Sequence, residues 1–208
     1  CFPGDHPVAA TARILDFLRD RRPDGPCLVV DLEVVAENYR LFARSMPDTR
    51  IFYAVKANPA PEILSLLAGL GSCFDTASVP EIEMALNAGA TPDRISFGNT
   101  IKKERDIARA HALGVSLFAV DSEEEVEKVA RAAPGAKVFC RILTDGAGAE
   151  WPLSRKFGCE PAMAVGVLAL LQGFRARWPD TDAQGRPWSF SLEPLLLRRV
   201  ALLVLPIA

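Results

Sequence analysis

Five short apolar runs, opening at Ile51 (IFYAV), Cys73 (CFD), Ile95 (ISF), Leu117 (LFAV) and Val138 (VFCRI), recur about every 22 residues. That interval holds one short strand, one helix and two loops. A chain that alternates strand and helix at so even a pace builds a parallel sheet, because each strand must return to the same end after its helix. The regularity, without a long interruption, favours a (β/α) barrel over a doubly wound sheet. No G-x-G-x-x-G follows any run, which weighs against a dinucleotide fold. The expected architecture is therefore α/β, a partial (β/α)8 TIM-type barrel with about five strand-helix units.

Helix signals fill the gaps between the runs. Ser78-Val79-Pro80-Glu81 offers a capping hydroxyl with a carboxylate three residues on, and Ser122-Glu123-Glu124-Glu125 repeats the device. Gly89 and Gly114 stand where helices should stop. Glu124 with Lys128, and Glu127 with Arg131, have the spacing of ion pairs on a solvated helix face. A further helix is expected over Pro161 to Gly173. The chain then divides into an N-terminal segment (1–25), the partial barrel (26–173) and an atypical tail (174–208). The tail has no lysine, is rich in Arg, Pro, Leu and Trp, and shows no return of the rhythm. It reads either as a non-native continuation from a shifted reading frame or as an ordinary linker and helix.

Bulk properties exclude several classes. A formal charge of −2 and no basic stretch speak against nucleic acid. The longest apolar run, Val200 to Ile207, is shorter than the ~20 residues of a spanning helix, so no membrane role is expected. The first residues do not read as a secretory signal, and the absence of an initial Met suggests a missing beginning. Five widely spaced cysteines with no C-x-x-C pair fit a reducing cytoplasm better than a metal or disulfide framework.

Lys56 is the residue with the most chemistry. It ends the run Ile51-Phe52-Tyr53-Ala54-Val55, so a period of two points Phe52, Ala54 and Lys56 to one face. In a (β/α) barrel the carboxyl ends of the strands build the active site. An amine emerging from an apolar strand is expected to be partly desolvated and a better Schiff-base nucleophile. Ala54 beside it leaves room for a flat ring. The competing reading is a lysine that snorkels to solvent.

The surrounding residues carry a resemblance. Phe52-Tyr53-Ala54-Val55-Lys56-Ala57-Asn58 resembles the cofactor-lysine motif of the pyridoxal-phosphate (PLP) ornithine, diaminopimelate and arginine decarboxylases, which share an alanine-racemase-like barrel. Phe74-Asp75-Thr76-Ala77-Ser78 with Glu81, Arg141 in Phe139-Cys140-Arg141-Ile142, and Ser154-Arg155-Lys156-Phe157-Gly158 resemble further motifs of that family in the same order. The similarity runs from about Pro26 to Glu160 and is nearest to bacterial ornithine decarboxylases. It implies that Lys56 is catalytic and holds PLP, with Ala54, Asp75 and Arg141 at the cofactor. It also implies a small amino-acid substrate and a homodimer for the full-length family.

Each of these residues has a plainer reading. Asp75 could cap a helix, Glu81 reads better as a cap than as a site residue, and Lys156 could serve positioning alone. An arginine at the end of a buried strand should have a buried partner or a cofactor contact. Beyond residue 160 the family's H-V-G-S, glycine-rich, E-P-G-R and Cys-Asp elements are not found, so the chain is expected to be an incomplete enzyme. Other basic amino-acid decarboxylases, a racemase on the same barrel and a non-catalytic regulatory relative are the competing readings.

Overall fold

The computed structural model describes residues 11–143, 157–177 and 200–203. Two helices lead in, α1 (Ala12–Arg21) and α2 (Leu32–Ser45). The expected alternation follows: β1 (Arg50–Ala54), α3 (Pro61–Gly69), β2 (Cys73–Thr76), α4 (Val79–Asn87), β3 (Ile95–Phe97), α5 (Glu104–Ala112), β4 (Leu117–Val120), α6 (Glu123–Ala132), β5 (Lys137–Cys140) and α7 (Pro161–Arg177). A last strand, β6 (Val200–Leu203), completes one sheet of order β5-β4-β3-β2-β1-β6, in which every pair is parallel. β6 lies in the tail, beyond the point at which the sequence rhythm stops. Its four apolar residues pair with the edge of β1, from Arg50 opposite Val200 to Tyr53 opposite Leu203, and so satisfy backbone groups that an open edge leaves unpaired.

The core lies between the sheet and the helices. Tyr53, Phe74, Ile95, Phe97, Phe118 and Val120 from the strands, with Val55 just past β1, join Ile63, Leu67, Ile82, Ile107, Val126 and Val129 in one buried cluster. Helix ends are fixed locally, as the sequence predicts. Ser78 and Ser122 are N-caps whose hydroxyls accept from the amides of Glu81 and Glu125 at 3.5 and 3.3 Å. Gly89 and Gly114 take φ of +98° and +90°. There Ala90 and Val115 donate back to Ala85 and Ala110, both at 3.1 Å, a left-handed stop that other residues resist.

Glu125 departs from expectation. Glu127 and Arg131 do face each other on the surface at 3.8 Å. Lys128, however, pairs with Glu125 and not with Glu124, and Glu125 is buried. Its carboxylate also holds the buried ammonium of Lys102 at 3.1 Å. Lys102 donates to the carbonyls of Asn99, Thr100 and Ala119 at 2.9, 3.4 and 2.6 Å, tying the ends of β3 and β4 together. Part of an apparently solvated charge run is thus a buried ionic staple.

Candidate active site at the carboxyl ends of the strands

β1 stops at Ala54, and the chain turns through a single 3-10 turn, Val55–Ala57. The turn is held by its own sequence. Tyr53 Oη donates to the Asn58 carbonyl at 3.2 Å, and Asn58 Oδ1 accepts from the Ala60 amide at 3.1 Å, which starts α3. Val55 is pulled into the core while Lys56 is left exposed at the strand ends. The amine therefore belongs to the turn after the strand, and is open to solvent where partial desolvation was expected.

Asp75 sits beside it. In register, Ala54 faces Asp75 and Asp75 faces Ser96. These three lie on the face opposite the helix-packed cluster, as alternation requires. Ser96 Oγ donates to Asp75 Oδ1 at 2.7 Å. Gly98 flanks the carboxyl so closely that a Cβ there would stand 1.9 Å from Oδ1. Burial pushes the Asp75 carboxyl above its ordinary range; the Ser96 hydroxyl and the charges of Lys56 and Arg141 hold it down, and Glu81 adds to the rise. Asp75 is not a helix cap, since Ser78 has that role. Glu81 does act at the helix start, but its carboxylate accepts from Ala77 at 2.7 Å.

Arg141 follows the last residue of β5. Because β5 is a sheet edge, its guanidinium is exposed, which corrects the expectation of a buried partner. It stacks 5.3 Å from the centre of the Phe157 ring. Phe157 is in turn placed by Gly158, whose amide donates to Asp121 Oδ2 at 3.0 Å, beyond the end of β4. Ser154, Arg155 and Lys156 lie outside the described residues. Among the described residues neither Lys56 nor Arg141 enters an ion pair within 4.0 Å. Two cations and one elevated carboxyl thus share the mouth, with small residues at Ala54 and Gly98 beneath them.

Ser96, Gly98 and Asp121 went unnoticed in the sequence. The one signal for them was position, since Ser96 lies within a predicted strand and Gly98 and Asp121 just past the ends of two. No helix among the described residues is long and apolar enough to cross a membrane.

Residues 32–173 match the model of the family described as pyridoxal-dependent decarboxylase, pyridoxal binding domain. The chain is 41% identical over 152 residues to the lysine/ornithine decarboxylase of Selenomonas ruminantium, covering 73% of this chain and 39% of that one. It superposes on the lysine decarboxylase of that organism, solved with PLP and cadaverine, with a TM-score of 0.67 and 36% identity over 80% of this chain and 41% of the other. It is also 38% identical over 130 residues to antizyme inhibitor 2 of Xenopus laevis, covering 62% of this chain and 28% of that protein. The chain thus spans about two fifths or less of the length of these relatives.

Proposed function

The chain belongs to the pyridoxal-dependent decarboxylases, and from that membership we propose that residues 26–173 hold PLP through Lys56 for the decarboxylation of a basic amino acid, L-ornithine to putrescine first among them. The observation that carries this reading is that Lys56, Asp75 and Arg141 all stand at or just past the carboxyl ends of parallel strands, with both cations acting on the partly buried carboxyl of Asp75. The residues fit the group. Lys56 offers an exposed amine to an aldehyde, Ala54 leaves space for a ring, and Arg141 offers a cation without a competing ion pair among the described residues. When bound, PLP supplies the sink for the electron pair left as CO2 departs. Asp75 lies beyond 4.0 Å of the Lys56 ammonium, so it would act on that amine through its charge and not by direct contact.

Incubation with PLP, reduction with borohydride and peptide mapping test the assignment. The label should fall on Lys56 and drop to background in Lys56→Ala. Label spread over other lysines and indifferent to that substitution would sink it. Little CO2 release from ornithine is expected of the 208 residues alone, because such barrels grip phosphate with loops after later strands. Robust release would overturn that expectation. Lysine, arginine or diaminopimelate as substrate is the alternative within the reaction class, and competition assays rank them. Homodimerisation and residence in the cytoplasm complete the proposal. Sedimentation and fractionation of the full-length protein test these two.

A second reading, a non-catalytic regulator, is favoured by the similarity to antizyme inhibitor 2. It predicts no label on Lys56 and no cofactor absorbance in a full-length form.

A further inference from the structure

We propose that Cys140 and Cys159 form a reversible disulfide, a modification site that clips the carboxyl end of β5 to the segment entering α7. Their sulfurs lie 3.5 Å apart. Both also reach one acceptor, the Arg141 carbonyl, at 3.9 and 3.5 Å. The backbone holds them there. Cys159 donates to the Arg141 carbonyl at 3.0 Å, Leu143 donates to the Cys159 carbonyl at 2.9 Å, and Ile142 and Cys159 form a parallel bridge. Bonding at about 2.05 Å asks the sulfurs to approach by roughly 1.5 Å, within reach of side-chain rotation.

The other described cysteines are placed differently. Cys27 is exposed and Cys73 is buried, and neither lies against another thiol among the described residues. Cys140 is only partly covered, so a small reagent has access, while Cys159 is buried behind it. Two cysteines that merely fill space as small hydrophobes are the alternative.

The chemistry is thiol–disulfide exchange with a low-molecular-weight disulfide. One cysteine loses its proton to solvent and its sulfur attacks the reagent, forming a mixed disulfide and releasing one thiolate. The second cysteine, likewise deprotonated, attacks the protein-bound sulfur of that mixed disulfide and releases the other. Two protein thiols are oxidised by two electrons, and one reagent disulfide becomes two thiols. Burial, with the neighbouring Cys159 next, pushes the Cys140 thiol up to about 12. Exchange is therefore slow at neutral pH and quickens as pH rises.

The link would tie the residues next to Arg141 to those next to Phe157, the stacked pair on the β5 side of the site. It stands apart from the role of Lys56 and is read without PLP.

The test equilibrates the whole chain with mixtures of glutathione disulfide and glutathione, blocks free thiols, and maps a non-reduced tryptic digest. The expected product joins residues 138–141 to 157–175, is two hydrogens lighter than the sum of the two peptides, and vanishes on reduction. Cys140→Ser and Cys159→Ser should abolish it and leave glutathione on the remaining cysteine. Glutathione on Cys27 shows that exchange took place. If Cys27 is modified while Cys140 and Cys159 stay free, or each bears its own glutathione, the disulfide is refuted.

Discussion

The two faces of strands β1 to β4 are made from alternate residues of the same few segments, yet they are filled by opposite rules. Toward the helices stand Tyr53, Phe74, Phe97 and Phe118, all within one buried cluster. On the other face the same strands carry Ala54, Asp75, Ser96 and Ala119, which are small or polar, although Phe52 and Leu117 lie on it too, toward the amino ends of β1 and β4. A close-packed face stabilises the fold through apolar area removed from water. A face of small and polar groups leaves room and functional atoms for a ligand. The period of two lets one short strand do both.

The comparison breaks most readily at Phe118, which is fully buried against Phe97 with ring centres 6.2 Å apart. Phe118→Ala should cost about 3–5 kcal/mol, seen as a lower urea midpoint. A loss below about 1 kcal/mol would erase the distinction between the faces.

Two lysines sharpen it further. Lys56 follows β1 exposed, whereas Lys102, beyond the end of β3, is buried against Glu125. Burial pulls the Lys102 ammonium below its ordinary range, and the Glu125 carboxylate opposes that fall. Glu125→Gln should cost about 3 kcal/mol at neutral pH, because it strands a buried charge. With its midpoint lowered in the fold, Lys102 costs stability while the unfolded lysine is protonated. The loss should therefore shrink as pH rises toward about 10.4. A loss that does not change with pH would assign Glu125 to packing alone.

Gly98 tests the roomy face directly. Gly98→Ala sets a methyl group against the Asp75 carboxyl and must swing it off Ser96. About 2 kcal/mol of stability should go with it, and the pH profile of pyridoxyl labelling on Lys56 should change. Unaltered stability together with an unaltered profile would mean that the slot has no role.

What the sequence made legible was local. The strand interval, the serine caps at Ser78 and Ser122 and the glycine stops at Gly89 and Gly114 are read within a few residues of themselves. Lys56 was found because its motif and its strand end coincide. The partners were not legible, because sheet register brings them from afar. Ser96 and Asp75 are 21 residues apart, and Lys102 and Glu125 are 23 apart. Glu125 read only as the carboxylate of a capping device, because its burial depends on how α6 meets the loop after β3. Arg141 was expected to meet a buried partner or the cofactor, and the edge position that leaves it without the first is a property of strand order. β6 likewise pairs with β1 across the longest separation in the sheet, which no nearby residue announces.

Ser96→Ala is the smallest of these perturbations and the most specific. The hydroxyl donates to Asp75 and pulls its carboxyl down, against a burial effect that leaves it raised overall. A carboxyl raised by folding favours the folded state while protonated, and that contribution is lost as pH rises through its folded midpoint. Removing the donor moves the midpoint higher still, so the penalty should be about 1.5 kcal/mol at pH near 7, the scale of a hydrogen bond to a charged group. It should shrink at pH below about 3.9, where the carboxyl is protonated in both states. Ser96→Thr keeps a hydroxyl and should retain most of the difference. Urea titrations at the two pH values decide it. Equal losses at both would make Ser96 a packing residue and leave the elevation of Asp75 to burial alone, whereas a loss confined to higher pH makes the face opposite the core electrostatically tuned.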